Sequence, residues 1–204
     1  KIYVREKYSY DYLKKEKIKS ENLPDFLTLL KIKNSNKKNQ TIIVTDSSIQ
    51  KTSKKLLRFS TLKNHIYIPI LYNNYLRYMR FFTFKFALKF KLFLFINLYL
   101  FLKNKYLNFF LKKISNSKFI ITGRFHGIFI CLALMKPFYT FQSDTYKING
   151  LINLIGLKKR MLSINEINTL KFREFDKYEV LKIKKFKKKS KIKFDRFVKK
   201  LHQL

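Results

Sequence analysis

The chain has 204 residues, in which 46 Lys and Arg stand against 12 Asp and Glu, a formal charge of +34. Apolar types still supply 47% of it and aromatics 17%, too much for a disordered polycation, so it buries the core of one domain or one and a half small ones. One cysteine excludes an intrachain disulfide framework and any multi-cysteine metal knuckle, and His65, His126 and His202 are spaced too widely for a structural zinc site.

The charge does not choose a partner. Lysine far outnumbers arginine while Gly, Pro and Trp fall to 4, 3 and 0, a bias toward a few residue types laid over an ordinary fold. Most lysines therefore read as solvated faces whose field attracts any anion: a small molecule, a nucleotide or an acidic lipid surface. No specific nucleic-acid contact is expected. The chain opens with Lys1 and shows no signal peptide. The expected location is cytoplasmic, with peripheral contact at the acidic inner face of the membrane as a further expectation.

In chain order, Ile2 to Val4 reads as a short β run. A helix is expected from about Ser9, which would cap it, with Tyr12 and Leu13 on its inner face. Pro24 and Asp25 mark a strand-to-loop junction, and residues 31–40, rich in Lys, Asn and Ser, read as a linker. Thr41 to Thr45 is a buried strand. Asp46, Ser47 and Ser48 end it where open α/β sheets carry ligand-binding loops. Residues 49–60 read as a basic helix, and His65 to Leu71 as a strand that Pro69 pushes to an edge or an early end.

Residues 72–113 form an apolar and aromatic block broken by lysines. Its uncharged stretch, Leu92 to Leu102, is about half a membrane crossing. Lys89 and Lys91 make spanning costly, so the block reads as a pair of buried or half-buried helices; a helix resting on acidic lipid is the alternative. Beyond it come strand Phe119 to Thr122, an apolar helix Phe125 to Met135 and strand Phe138 to Phe141. A helix from Ile148 to Ile155, capped by Gly156, follows. This rhythm implies parallel strands joined by right-handed crossovers. From Lys171 the chain is basic, with apolar residues spaced for one or two amphipathic helices.

One cluster carries chemistry: Gly123, Arg124, Phe125, His126 and Gly127, at the carboxyl end of a strand and the start of a helix. Gly123 would let the chain turn sharply, and Gly127 would let a ligand or a neighbouring backbone approach. Arg124 offers a fork of donors to a carboxylate or phosphate, beside the free N–H groups of a helix N-terminus. His126 is of the residue type most often used as a proton donor or acceptor. Cys131 reads as a core residue of the apolar helix, and His65 and His202 have no neighbours that single them out.

The segment FIITGRFHGIFICLALMKPFYTFQSDTYKINGLINLIGL resembles the C-terminal signature of the polysaccharide pyruvyl transferase family. A hydrophobic strand leads into Arg-X-His, followed by a helix, a Pro-initiated strand and an aromatic-plus-Lys loop. VREKYSYDYLKK and the later LPDF resemble the family's amino-terminal helix and the Asp-containing strand end beyond it. The resemblance implies an α/β fold with a Rossmann-like parallel sheet domain of glycosyltransferase-B type, its first half largely missing. Residues 1–35 would be a remnant of the first Rossmann-like domain, 36–170 the C-terminal one and 171–204 a basic helical extension.

The resemblance also implies transfer of a pyruvyl group from phosphoenolpyruvate to a pair of sugar hydroxyls on a glycan or lipid-linked acceptor, in surface polysaccharide biosynthesis. Arg124 and His126 match the motif residues and are the expected catalytic pair. Arg124, Lys147, Gly123 and Gly127 are the expected substrate contacts, and Arg5 and Ser9 the scaffold or cleft wall. Neither metal nor cofactor is expected. A glycosyltransferase using a sugar nucleotide, and a non-catalytic basic module for membrane or nucleic acid, are the alternatives. The chain departs from the family pattern at Ile128, Phe129, Ile130 and Cys131, where small residues are common, and in its Lys-rich tail.

Overall fold

Continuous apolar runs form the central strands, because a parallel strand between two helix layers is buried on both faces. The computed structural model describes residues 2–5, 7–29, 40–70 and 105–202. Its elements are β1 (Ile2–Val4), α1 (Lys7–Lys15), β2 (Ser20–Asn22), β3 (Ile42–Ser47), α2 (Gln50–Leu62) and β4 (Ile66–Tyr67). After these come α3, described over residues 105–116, then β5 (Phe119–Gly123), α4 (Phe125–Leu134) and β6 (Phe138–Phe141). The chain ends with α5 (Lys147–Ile155), β7 (Met161–Leu162) and α6 (Lys177–Leu201). Most of the expected linker and of the aromatic-lysine block lies outside the described residues. No helix among the described residues is long and apolar enough to cross a membrane.

The sheet runs β4-β3-β5-β6-β7, with every neighbouring pair parallel, as the strand-helix rhythm implies. Side chains alternate between its two faces. Ile43, Ile120 and Phe138 face a layer built from α3, α4, α5 and α6, including Ile114, Ile128, Ile152 and Ile183. Val44, Ile121, Tyr139 and Phe141 face the opposite way, onto Leu56 and Phe59 of α2. β4 is an edge strand of two residues that ends before Pro69, the edge place and early end that Pro69 suggests. A separate small parallel pair joins β1 to β2, with Ile2 opposite Ser20.

Two local expectations are corrected. α1 begins at Lys7, two residues before Ser9, and none of its residues is buried. Tyr12 is 64% exposed instead of facing inward, because α1 lies outside a two-stranded sheet that offers no deep core.

The basic C-terminal segment is a single helix docked across the domain. Asp176 and Glu179 form a capping box at the start of α6. Glu179 also receives Nε and Nη2 of Arg160 at 2.8 and 2.5 Å, while Arg160 donates to the carbonyls of Arg173 and Glu174 at 2.7 Å each. Lys182 and Lys187 donate to Gly156 O and Ala133 O, at the carboxyl ends of α5 and α4, where a cation meets the negative end of the helix dipole. Lys193 reaches Asn22 and Lys200 reaches Glu21, tying α6 to β2.

Candidate active site

β3 and β5 lie side by side, yet the chain leaves β3 for β4 on one side and returns to β5 on the other. Such a switch point opens a crevice beyond the carboxyl ends of the two strands, where ligands of open α/β sheets bind. Pairing between the strands is regular from Ile42 to Val44, then shifts so that Ser47 faces Gly123. Thr45 and Asp46 therefore stand against Thr122 alone. This bulge re-aims the strand end, and bulges recur beside active sites. The Thr45 and Thr122 hydroxyls close it with a buried 2.7 Å hydrogen bond.

Asp46 is 1% exposed. Its Oδ1 accepts from Ile70 N at 2.8 Å, and its Oδ2 accepts Nε and Nη2 of Arg124 at 3.0 and 2.5 Å. Arg124 is the residue before α4, and its own N–H donates to Thr122 Oγ1. A guanidinium has five N–H donors. Asp46 takes two, so the others remain for an anion while the carboxylate fixes the plane of the group. Arg124 and Asp46 line an open cleft of about 360 Å³ with Ser47, Ser48, Ser53 and Lys54. Neither α2 nor α4 begins with a side-chain cap, which favours an anion at both helix starts.

The two motif glycines serve close packing. Gly123 has no positive φ, so it makes no glycine-only turn. A Cβ there would lie 2.4 Å from Ser47 Cβ and 2.9 Å from Ser47 Cα, so its bareness is what lets β3 and β5 meet beyond the bulge. A Cβ on Gly127 would lie 2.3 Å from Thr122 Oγ1 and 2.7 Å from Ile70 Cδ1. Its closeness is to the strand beneath α4.

His126, in the first turn of α4, is 54% exposed at its side chain, and its Nε2 lies 3.9 Å from Asp25 Oδ2. That exceeds a hydrogen bond and is within ion-pair reach of a protonated ring. Asp25 is held firmly: Oδ2 accepts Arg5 Nη1 at 2.9 Å and Oδ1 accepts Leu27 N at 3.0 Å. Arg124 and His126 thus stand two residues apart and turn to different aspartates, and His126 is not among the residues that line the Arg124 cleft. Lys147, at the start of α5, lines a second cleft with Arg5 and Tyr8, not the one Arg124 lines. Asp144, in the loop before it, accepts from Ser48 Oγ at 2.8 Å and so links that loop to the end of β3.

The family model for polysaccharide pyruvyl transferase matches residues 1–145. The chain belongs to that family. No significant match to a curated protein or to a solved structure accompanies it. The likeness, expected in the C-terminal part of the family with a first half largely missing, lies instead on the N-terminal two-thirds of the chain, and elements run from Ile2 to Leu201. The matched span contains Arg5, Asp25, Asp46, Arg124 and His126 of this pyruvyl transferase relative and stops two residues short of Lys147. Membership supports a general transferase role in polysaccharide biosynthesis, with a glycan acceptor.

Asp25 and Asp46 are the residues whose roles the sequence hides. Both follow short apolar runs, and a carboxylate at such a place needs a cation; the partners, Arg5 and Arg124, sit 20 and 78 residues away. Elsewhere, burial pushes the Cys131 thiol well above its ordinary range, in keeping with a core residue. No group of three metal-binding side chains occurs among the described residues.

Proposed function

We propose that the chain transfers a pyruvyl group from phosphoenolpyruvate to two hydroxyls of a sugar, forming a cyclic ketal on a surface polysaccharide or its lipid-linked precursor. The observation that carries this reading is the Arg124 guanidinium, held by Asp46 at the switch point of the sheet and exposed along one edge to a 360 Å³ cleft. Phosphoenolpyruvate presents a carboxylate and a phosphate close together. Arg124 takes one of them, and the start of α2 with Lys54 suits the other.

In the reaction one sugar hydroxyl adds to the central carbon of the enol while a proton reaches the terminal methylene, which becomes a methyl group. The second hydroxyl then displaces phosphate and gives up its proton, leaving the ketal and inorganic phosphate. His126 is suited to one of these proton transfers, with Asp25 as the counter-charge for its protonated ring.

The test is a titration of the full chain with phosphoenolpyruvate and, separately, with a uridine diphosphate sugar. Phosphoenolpyruvate should bind, and Arg124→Ala should weaken it at least about tenfold. Tighter binding of the sugar nucleotide, equally sensitive to Arg124→Ala, would overturn pyruvyl transfer in favour of glycosyl transfer. Binding of neither, with salt-sensitive attachment to acidic vesicles or nucleic acid that ignores Arg124, would leave a non-catalytic basic module.

A further inference from the structure

The first turn of α4 stands between two clefts, with Arg124 lining one and Phe125 the other. The second cleft has no part in the reading above. Its rim carries Tyr8 of α1 and Tyr146 at the start of α5, with ring centroids 5.3 Å apart and planes tilted by 33°. Both are exposed, at 53% and 67%. Large aromatics are rarely left in water side by side without a purpose. Gly150 lies beneath Tyr8: a Cβ there would meet Tyr8 Cδ2 at 3.5 Å, an ordinary contact that leaves the ring one methyl group above the backbone of α5. The cleft beneath has an enclosed volume of only about 20 Å³, about one water, so a ligand rests on the rings instead of entering.

Three cations, Arg5, Lys7 and Lys147, border the rings, and among the described residues no carboxylate lines the cleft. An aromatic floor ringed by cations suits a molecule with one apolar face and a negative charge. The C–H bonds on one face of a pyranose ring are weakly positive and pack on the negative face of an aromatic ring. Its hydroxyls and a phosphate are left for the cations. The tyrosine rings sit too close together for a nucleobase to slide between them.

We infer that Tyr8 and Tyr146, with Arg5, Lys7 and Lys147, form a binding platform for a phosphorylated sugar. This deepens the proposed function and rests on it, since the platform then holds the acceptor. The connection runs through Asp25: Arg5 borders the platform and donates to the same Asp25 Oδ2 that lies 3.9 Å from His126. A sugar seated on the tyrosines would thus lie near the side of α4 from which His126 projects.

The test uses glucose 1-phosphate as the probe, followed by calorimetry or saturation-transfer NMR. The wild-type chain should bind it more tightly than methyl glucoside or inorganic phosphate alone. Tyr146→Ala should weaken binding by about tenfold, the scale of one lost aromatic contact. Lys7→Ala should weaken it and flatten its salt dependence. Tyr146 is exposed, so the variant should keep its circular dichroism spectrum and its affinity for phosphoenolpyruvate. Glucose 1-phosphate binding that ignores both Tyr146→Ala and Tyr8→Ala would overturn the platform. So would uridine monophosphate binding as tightly with the same tyrosine dependence. A wild-type chain that binds glucose 1-phosphate through the tyrosines but never binds phosphoenolpyruvate would instead refute the donor reading and leave the platform standing.

Discussion

Replacing Arg160 by methionine separates a buried charge from a buried contact. Arg160 and Glu179 are 4% and 10% exposed at their side chains. The guanidinium meets both carboxylate oxygens, two backbone carbonyls and the face of Phe175 at 4.7 Å. In Arg160→Met the Glu179 carboxylate keeps only the Asp176 N–H among these partners, and the carbonyls of Arg173 and Glu174 lose their donor. Removing one member of a buried pair costs about 3–5 kcal/mol. For a chain of this size each kcal/mol lowers Tm by about 2–4 °C, so the fall should be roughly 6–20 °C. Adding Glu179→Leu removes the stranded charge, at the expense of the capping box. The double variant should therefore be more stable than the sum of the single losses by about 2–3 kcal/mol. Urea unfolding of the wild type, both single variants and the double variant measures this coupling. Strict additivity, or a loss below about 1 kcal/mol in Arg160→Met, would refute the view that the pair is desolvated and pins α6 to the sheet.

Gly127→Ala should destabilise the chain by about 1–3 kcal/mol through its clash with Thr122 Oγ1, and Thr122→Ala should recover part of the loss in a denaturant titration. His65 lies between the rings of Phe59 and Phe172, and burial, aided by the Lys63 charge, lowers its pKa below 6.5. The unfolded chain then takes up the proton first, so stability held above that value is lost as pH falls through it toward the folded pKa. His65→Gln should flatten the Tm profile as pH falls below about 6.5. The Cys131 thiol, fully buried and shifted upward, should stay unreactive to a thiol reagent until urea unfolds the chain; rapid labelling of the native form would show that α4 opens.

The central strands were legible because Ile42–Val44, Phe119–Ile121 and Phe138–Phe141 are apolar on both faces, which only a parallel strand in a two-sided core tolerates. Gly156 was legible too: its φ of 81° satisfies the αL cap at the end of α5. β7 was not, since two residues carry no period. Tyr12 misled because its apolar spacing suits a helix face that finds no partner. At the site, Arg124 and His126 stood out by type and place. The bulge at Thr45–Asp46 is a matter of register between strands 77 residues apart in sequence, which no local pattern encodes. Arg160 and Glu179 were lost in a lysine-rich background, where one more cation carries no signal.

The bulge makes the end of β3 intolerant of length change. Deleting one residue between Val44 and Ser47 would restore an even ladder with β5 but rotate what remains by half a pleat. The carboxylate that steadies the Arg124 guanidinium would then swing away from it, while Ser47 would still stand opposite Gly123. Spacing there is held as tightly as residue type.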